Sequence, residues 1–347
     1  MIINNYNIIL GNTKDNINKM INYFNVFMKI KDEKHIGIDF EFNRVNNERQ
    51  IALFQINLES KNTKTIFMFY PRDLNKDQLN ILKNLLYSKN IIIHGGESLD
   101  IPYLFSEIFS NNKEIIKFLK NVKDTKFQCE SYNYENNLNE YKCKIYYLLK
   151  QMNVIDNIQF NYLIKNEENM GPIYDIFIDV KNMKKELILY SAYDVLYLPR
   201  LIKSFPNNNF YRKLLPDITN IIIYSKYINF IDDNSFILNK LNNFFIIVDN
   251  NKKLFNDVYK KNVDKIESKY YDILLNINYF KKFFLMIIKL SVYIYLTNNY
   301  KYFINKEEIS NKKLRDFNYY IKIFNKFKHG SKFIKKINLK IVKDIIL

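Results

Sequence analysis

Two acidic residues interrupt an otherwise apolar stretch, Ile38-Asp39-Phe40-Glu41-Phe42. β-Branched and aromatic residues dominate HIGIDFEFN (35–43), and Gly37 disfavours helix, so the stretch is expected to be a strand. On a strand, residues i and i+2 share a face, which sets the two carboxylates side by side. Such a pair is either solvated at a surface or neutralised by a divalent cation. Asp100 closes the segment IIIHGGESLD (91–100), where a glycine turn leads from a short apolar strand into a helix. An Asp there is either a helix-start residue favoured by the dipole or a further acid at the same place. Tyr190 and Asp194 stand four apart in YSAYDVLYL (190–198) and share one helix face. Taken alone, that pair also fits a solvated Asp beside a core Tyr.

The elements that must position these residues follow from the hydrophobic pattern. A first helix is expected over roughly 14–30, strands at 35–43, 50–58 and 64–70, a helix over about 75–89, and a strand at 91–94. Another helix begins near Ser98, and a single helix covers 183–203. Residues 136–165 are helical or irregular. Three strands joined by short turns, then helix, strand and helix, imply a mixed α/β sheet of five to six strands, with the acids at strand ends and helix starts. Beyond Pro206 the pattern changes to long helical periodicities broken by Asn clusters. The chain is therefore divided into 1–205 and a basic, mostly helical C-terminal domain, 206–347.

In this order, DFEFNR followed by IALFQI, then HGGESLD, Asp124-Thr125 and YSAYDVLYL, the motifs resemble the ribonuclease D branch of the DEDD 3′-5′ exonuclease superfamily. The resemblance spans residues 30–203 and implies a ribonuclease H-like exonuclease fold. It implies that Asp39, Glu41, Asp100 and Asp194 hold two Mg²⁺ or Mn²⁺ ions, with Tyr190 orienting the attacking water. Residue 189 is Leu, where histidine members carry His, so the resemblance is to the tyrosine subtype. Five residues separate His94 from Asp100, one more than is common in ribonuclease D-like members. Two cations about 4 Å apart suit phosphodiester hydrolysis because they neutralise the anionic oxygens and stabilise the departing one. Hard ions prefer oxygen ligands, and four carboxylates supply them without His or Cys. Phe42, Arg44, His94 and Tyr103, next to the motifs, are candidates to touch a single strand through stacking and backbone contacts.

Bulk properties narrow the partners. The 347 residues carry a formal charge of +17 and are 48% hydrophobic, enough to bury a full core. A base composition rich in A and T explains part of the lysine excess, but not its placement. Residues 201–347 hold 27 Lys and Arg against 12 Asp and Glu, leaving 26 against 24 for residues 1–200. The basic half suits nucleic acid, with a membrane surface as the competing partner and a protein partner a further option. Two cysteines, Cys129 and Cys143, are too few for a disulfide framework or a thiolate zinc site and suggest a reducing compartment. Neither the N-terminal residues nor the apolar run Phe283–Leu296, broken by Lys289, looks like a signal peptide or a membrane span. The expectation is an intracellular protein of cytoplasm or nucleus, from a parasite, a symbiont or a large DNA virus. Three functions remain open: an exonuclease that shortens RNA from the 3′ end to nucleoside monophosphates, a DNA exonuclease, and an inactive nucleic-acid-binding scaffold.

Overall fold

The computed structural model describes residues 1–46, 48–97, 99–138, 142–208, 210–216, 219–220 and 223. All of them fall in the first of two compact units, Met1–Ile228. The expected C-terminal helical region, including Phe283–Leu296, lies outside the described residues beyond 223.

Seven strands form one mixed sheet: β1 (Ile2–Ile3), β2 (Tyr6–Gly11), β3 (His35–Val45), β4 (Glu48–Ser60), β5 (Thr63–Phe69), β6 (Ile91–Ile93) and β7 (Val122–Asp124). Their order is β1-β2-β5-β4-β3-β6-β7. The meander β3-β4-β5 is antiparallel, while β2 joins β5, and β6 and β7 extend from β3, in parallel. The helices are α1 (Lys14–Lys29), α2 (Lys76–Leu86), α3 (Asp100–Glu107), α4 (Asn112–Leu119), α5 (Thr125–Glu135), α6 (Ile145–Gln151), α7 (Asn157–Met170), α8 (Lys185–Leu196) and α9 (Leu198–Ser204). The ribonuclease H-like exonuclease fold expected from the motifs is therefore present, with a wider sheet than the five to six strands anticipated.

The additional strands have local causes. Asn4 and Asn5 adopt positive φ (48° and 68°), which lets two residues turn β1 into β2. The three-residue β7 exists because β6 supplies its partner edge. The single helix expected over 183–203 is two, α8 and α9, because Pro199 enters the first turn of α9 and cannot donate back into α8.

The period-two alternation of β3, β4 and β5 separates two kinds of surface. On one face Phe40, Phe54, Phe67 and Phe69 pack with Phe24 of α1; Phe40 stacks on Phe54 at 4.2 Å, and Phe24 meets Phe67 edge-on at 5.3 Å. On the other face lie Gly37, Asp39, Glu41, Gln55 and Asn57, covered by α8. The strand register pairs Asp39 with Gln55 and Gly37 with Asn57. That pairing then slips: Glu41 faces Leu53, but Phe42 faces Ile51, so Ala52 is an extra residue on β4 and a bulge follows Glu41.

The chain past α9 continues to pack on this unit. Gln128 donates to the Tyr211 carbonyl, the Tyr211 hydroxyl to Glu135, and Asn220 to the carbonyls of Leu119 and Val122.

Candidate active site

Two elements bring three of the acids together, while Asp100, on a third, lies outside that cluster yet near enough for its charge to act on Asp39 and Glu41. β3 presents Asp39 and Glu41 beneath α8, and α8 presents Asp194. One oxygen from each of these three lies within 4.8 Å of the others. Helix α8 is seated by two features of the sheet. The Asn57 amide donates to the carbonyls of Val195 and Leu196, both at 3.0 Å, which satisfies orphan groups at the end of the helix. Gly37 lets it approach, since a Cβ there would stand 3.1 Å from the Val195 carbonyl oxygen.

Asp100 arrives by a different route. After β6, His94, Gly95 and Gly96 turn the chain into α3. Gly95 takes φ +73°, and its N–H donates to Asp124 Oδ1 at 2.8 Å. A side chain at Gly96 would displace the Ile93 side chain and crowd Asp100 Oδ2. The same Asp124 oxygen caps α5 by accepting from Lys126 N–H. His94 is held inside this arrangement. The Cys143 carbonyl can only accept, so Nε2 donates to it at 3.0 Å, and Nδ1 lies 2.9 Å from the Thr125 hydroxyl, which also reaches the Ile93 carbonyl at 3.2 Å. Burial holds the imidazole down to about 4, hence neutral. His94 thus braces the turn, with both ring nitrogens engaged within the protein.

The electrostatics of the cluster are unfavourable without a counter-charge. Burial raises the carboxyls of Asp39, Glu41 and Asp194 well above the usual range, and their mutual repulsion raises them further. Asp100 is pushed up to about 8 by burial and by the charges of Asp124 and Asp194. Tyr190, half-buried, is raised chiefly by the negative charge of Asp194, then by burial, Glu41 and Asp39. Among the described residues no Lys or Arg forms an ion pair with these acids. A buried donor set made wholly of carboxylate oxygens fits hard divalent cations such as Mg²⁺ or Mn²⁺.

Over the region that holds these residues, 16–208, the chain matches the profile of a family described as 3′-5′ exonuclease, more than half of its length. The chain belongs to that 3′-5′ exonuclease family. The chain is also 34% identical over 180 residues to the uncharacterized protein L533 of Acanthamoeba polyphaga mimivirus, covering 47% of this chain and 34% of that protein. It therefore spans about a third of the length of this curated relative. Among solved structures it is similar to Trypanosoma brucei RNase D in complex with GMP (15% identity, TM-score 0.44, 64% of each chain). It is also similar to the Aedes aegypti Nibbler EXO domain (12% identity, TM-score 0.37, 64% of this chain and 95% of that one). The ribonuclease D-like resemblance of the DEDD motifs stands beside the family match.

Next to the acidic residues in sequence, Phe42 and Tyr103 form a tilted aromatic pair with ring centres 5.0 Å apart, and Arg44 is exposed towards the end of β3. Asn43 clamps the loop before α8 in both directions, donating to the Ile178 carbonyl and accepting from its N–H, each at 2.8 Å. A cavity of about 250 Å³ opens there between Gln50, Tyr70, Phe177 and Lys181.

Sequence reasoning missed several residues that support the site. Gln55 and Asn57 carried a usable signal, two amides at alternate positions in an apolar strand beside DFEF. Both polar ends of Gln55, together with Ser191 Oγ of α8, are buried without a hydrogen-bond partner among the described residues. Tyr146 carried none: it lies 48 residues before Asp194, yet donates to its Oδ1 at 3.0 Å. The two cysteines, expected to be too few for a disulfide framework, join each other in a single disulfide.

Proposed function

We propose that this protein is a two-metal-ion 3′-5′ exonuclease that hydrolyses nucleic acid, with RNA favoured, and releases nucleoside monophosphates. The observation that carries the reading is the cluster of Asp39, Glu41 and Asp194, of which Glu41 is buried and the two aspartates are partly so, with oxygens within 4.8 Å and no cationic side chain paired to it among the described residues. Uncompensated carboxylates buried together are costly, so the arrangement is held for a ligand that neutralises them.

In this reading Asp39, Glu41, Asp100 and Asp194 hold two Mg²⁺ or Mn²⁺ ions. Bound divalent cations supply Lewis-acid activation of a water and neutralise charge at the phosphodiester and its leaving oxygen. The protein does the rest. Tyr190, kept as a neutral phenol by its acidic surroundings, directs the water through its hydroxyl. Phe42 and Tyr103 stack on terminal bases, Arg44 contacts the backbone, and the basic stretch 206–347 adds a sequence-independent grip on phosphates. RNA is preferred over DNA on the ribonuclease D-like motifs. The presence of all four acids and Tyr190 favours an enzyme over an inactive scaffold. The site of action is the cytoplasm or nucleus, including the cytoplasm of a virus-infected host, in keeping with the mimivirus relative.

The test uses the full chain and 5′-labelled single-stranded RNA and DNA with Mg²⁺ or Mn²⁺. A ladder that shortens from the 3′ end, is abolished by chelation and is stronger on RNA supports the reading. A ladder on DNA alone moves the substrate to DNA, and metal-independent or absent cleavage by the wild type sinks the enzyme.

A further inference from the structure

Two tyrosines from different helices approach Asp194, and they do so in different ways. Tyr190 is one helical turn before it on α8, half-buried, and its hydroxyl has no hydrogen-bond partner among the described residues. Tyr146, on α6, is 4% exposed and donates its hydroxyl to Asp194 Oδ1 at 3.0 Å.

Tyr146 stands on a platform tied to α5 on both sides. Before it, Cys143 is bonded to Cys129 of α5, and its carbonyl receives His94 Nε2. After it, Gln151 donates to Asn133 of α5 at 2.5 Å, one helical turn beyond Cys129. Leu148 and Leu149 are fully buried between these ties. α5 is in turn capped by Asp124, the residue that holds Gly95 in the turn before Asp100. A continuous set of bonds therefore runs from the turn that delivers Asp100 to the hydroxyl that meets Asp194.

A free carboxylate rotates about its Cα–Cβ and Cβ–Cγ bonds and must be ordered before it can serve as a ligand at a defined angle. A fixed phenol donor on one oxygen removes that rotation and leaves the other oxygen for a cation, as partners beyond the ligands do in metal sites generally. We propose that Tyr146 is a positioning residue for the divalent-cation site: its hydroxyl fixes the Asp194 carboxylate for metal, while Tyr190 is left free to serve the water. The proposal rests on the two-metal reading above.

The experiment measures Mn²⁺ binding to the full chain directly, by the electron paramagnetic resonance signal of free Mn²⁺, alongside turnover at saturating metal. Tyr146→Phe keeps the ring and removes the hydroxyl. It is expected to weaken Mn²⁺ binding about tenfold, the loss of one charge-assisted hydrogen bond, with kcat at saturating Mn²⁺ within about threefold of wild type. Tyr190→Phe is expected to do the reverse, leaving Mn²⁺ affinity near wild type and lowering kcat by about a hundredfold. In an Asp194→Asn background, where the carboxylate is gone, Tyr146→Phe should weaken Mn²⁺ binding no further.

Equal Mn²⁺ affinity in wild type and Tyr146→Phe overturns the proposal. So does a full tenfold loss that persists in the Asp194→Asn background, because the hydroxyl would then act elsewhere. If the single Phe variant loses its native circular dichroism, Tyr146→Gln, which retains a donor, is measured in its place; a folded Gln variant with wild-type Mn²⁺ affinity supports the proposal, and any other outcome overturns it. A wild-type protein that binds no Mn²⁺ and cuts nothing removes the enzyme reading and this inference together. A wild type that does both, beside an unaffected Tyr146→Phe, removes only this inference.

Discussion

The two faces of the central meander are built from neighbouring residues of the same strands and have opposite energetics. The face against α1 is a run of phenylalanines, Phe40, Phe54, Phe67 and Phe69, all at most 3% exposed and in ring contact. The face against α8 buries Asp39, Glu41, Gln55 and Asn57, with carboxylates that repel one another and amide atoms that lack partners. One face contributes stability through apolar area, and the other lowers it in exchange for a site. Alternation along a strand allows both within a single element, because each residue reports to only one face.

That contrast can be broken from the acidic side first. If Asp39 is a metal ligand as proposed, Asp39→Asn should lower the cleavage rate by about a thousandfold or more. In the presence of chelator it should raise the melting temperature, because one buried repulsive charge is gone. Thermal melts and single-turnover assays on the same sample check both halves, and a lowered melting temperature in chelator would contradict the division between faces.

The aromatic side should respond in the opposite sense. Phe67→Ala should destabilise the fold by about 3–5 kcal/mol, the usual effect of emptying such a site. Urea midpoints report it, while turnover per folded molecule at low temperature should stay near wild type. Between these extremes stands Asn57→Ala, which leaves the last carbonyls of α8 without their donor. We expect a loss of about 1–3 kcal/mol together with a several-fold fall in rate, because the helix that carries Tyr190 and Asp194 loses its seat.

The smallest effect separates the faces by pH. The Asp100 carboxyl is at about 8 in the folded chain and near the ordinary value of about 4 when unfolded. The folded state therefore retains a proton that the unfolded state has released, and stability is fully present below about pH 4 and lost as pH rises toward 8. Asp124, held at about 6 by burial, acts in the same direction. Melting temperature in chelator should fall by several degrees between pH 5 and pH 8, and saturating Mn²⁺ should reverse the trend. A flat profile in chelator would mean that the acids are better solvated than their burial implies.

What the sequence made legible follows the range of the interactions involved. Strand β3 and its two acids were readable because period-two alternation is local, and α8 because Tyr190 and Asp194 keep helical spacing. The glycines before Asp100 announced a turn, and the structure supplies the reason: Gly95 takes a positive φ, and Ile93 and Asp100 fill the space where a side chain at position 96 would go. Tyr146 was not readable, since its partner is 48 residues away and the intervening chain has no repeating pattern. The same holds for the Cys129–Cys143 bond, which depends on how α5 and the segment before α6 come together, and for β7, which exists only because β6 offers it an edge. His94 shows the limit of reading a residue by its type. A histidine beside an acidic motif suggests substrate contact, whereas here it joins Thr125 to the Cys143 carbonyl.

The bulge after Glu41 has a consequence for how such a protein can change over generations. On one side of the bulge, where residues 35–41 pair with 53–59, the β3–β4 register is tied to the acids, and a slip there would turn Asp39 away from its partners. On the other side, where residues 42–45 pair with 48–51, the extra residue has shifted the strands out of that register, so Phe42, Asn43 and Arg44 occupy a segment with an alignment of its own. Substitutions at residues 42–45 can therefore alter that end of the strand pair while the register that sets Asp39 and Glu41 side by side is kept. One extra residue gives a single pair of strands two alignments, one fixed by the acids and one free of them.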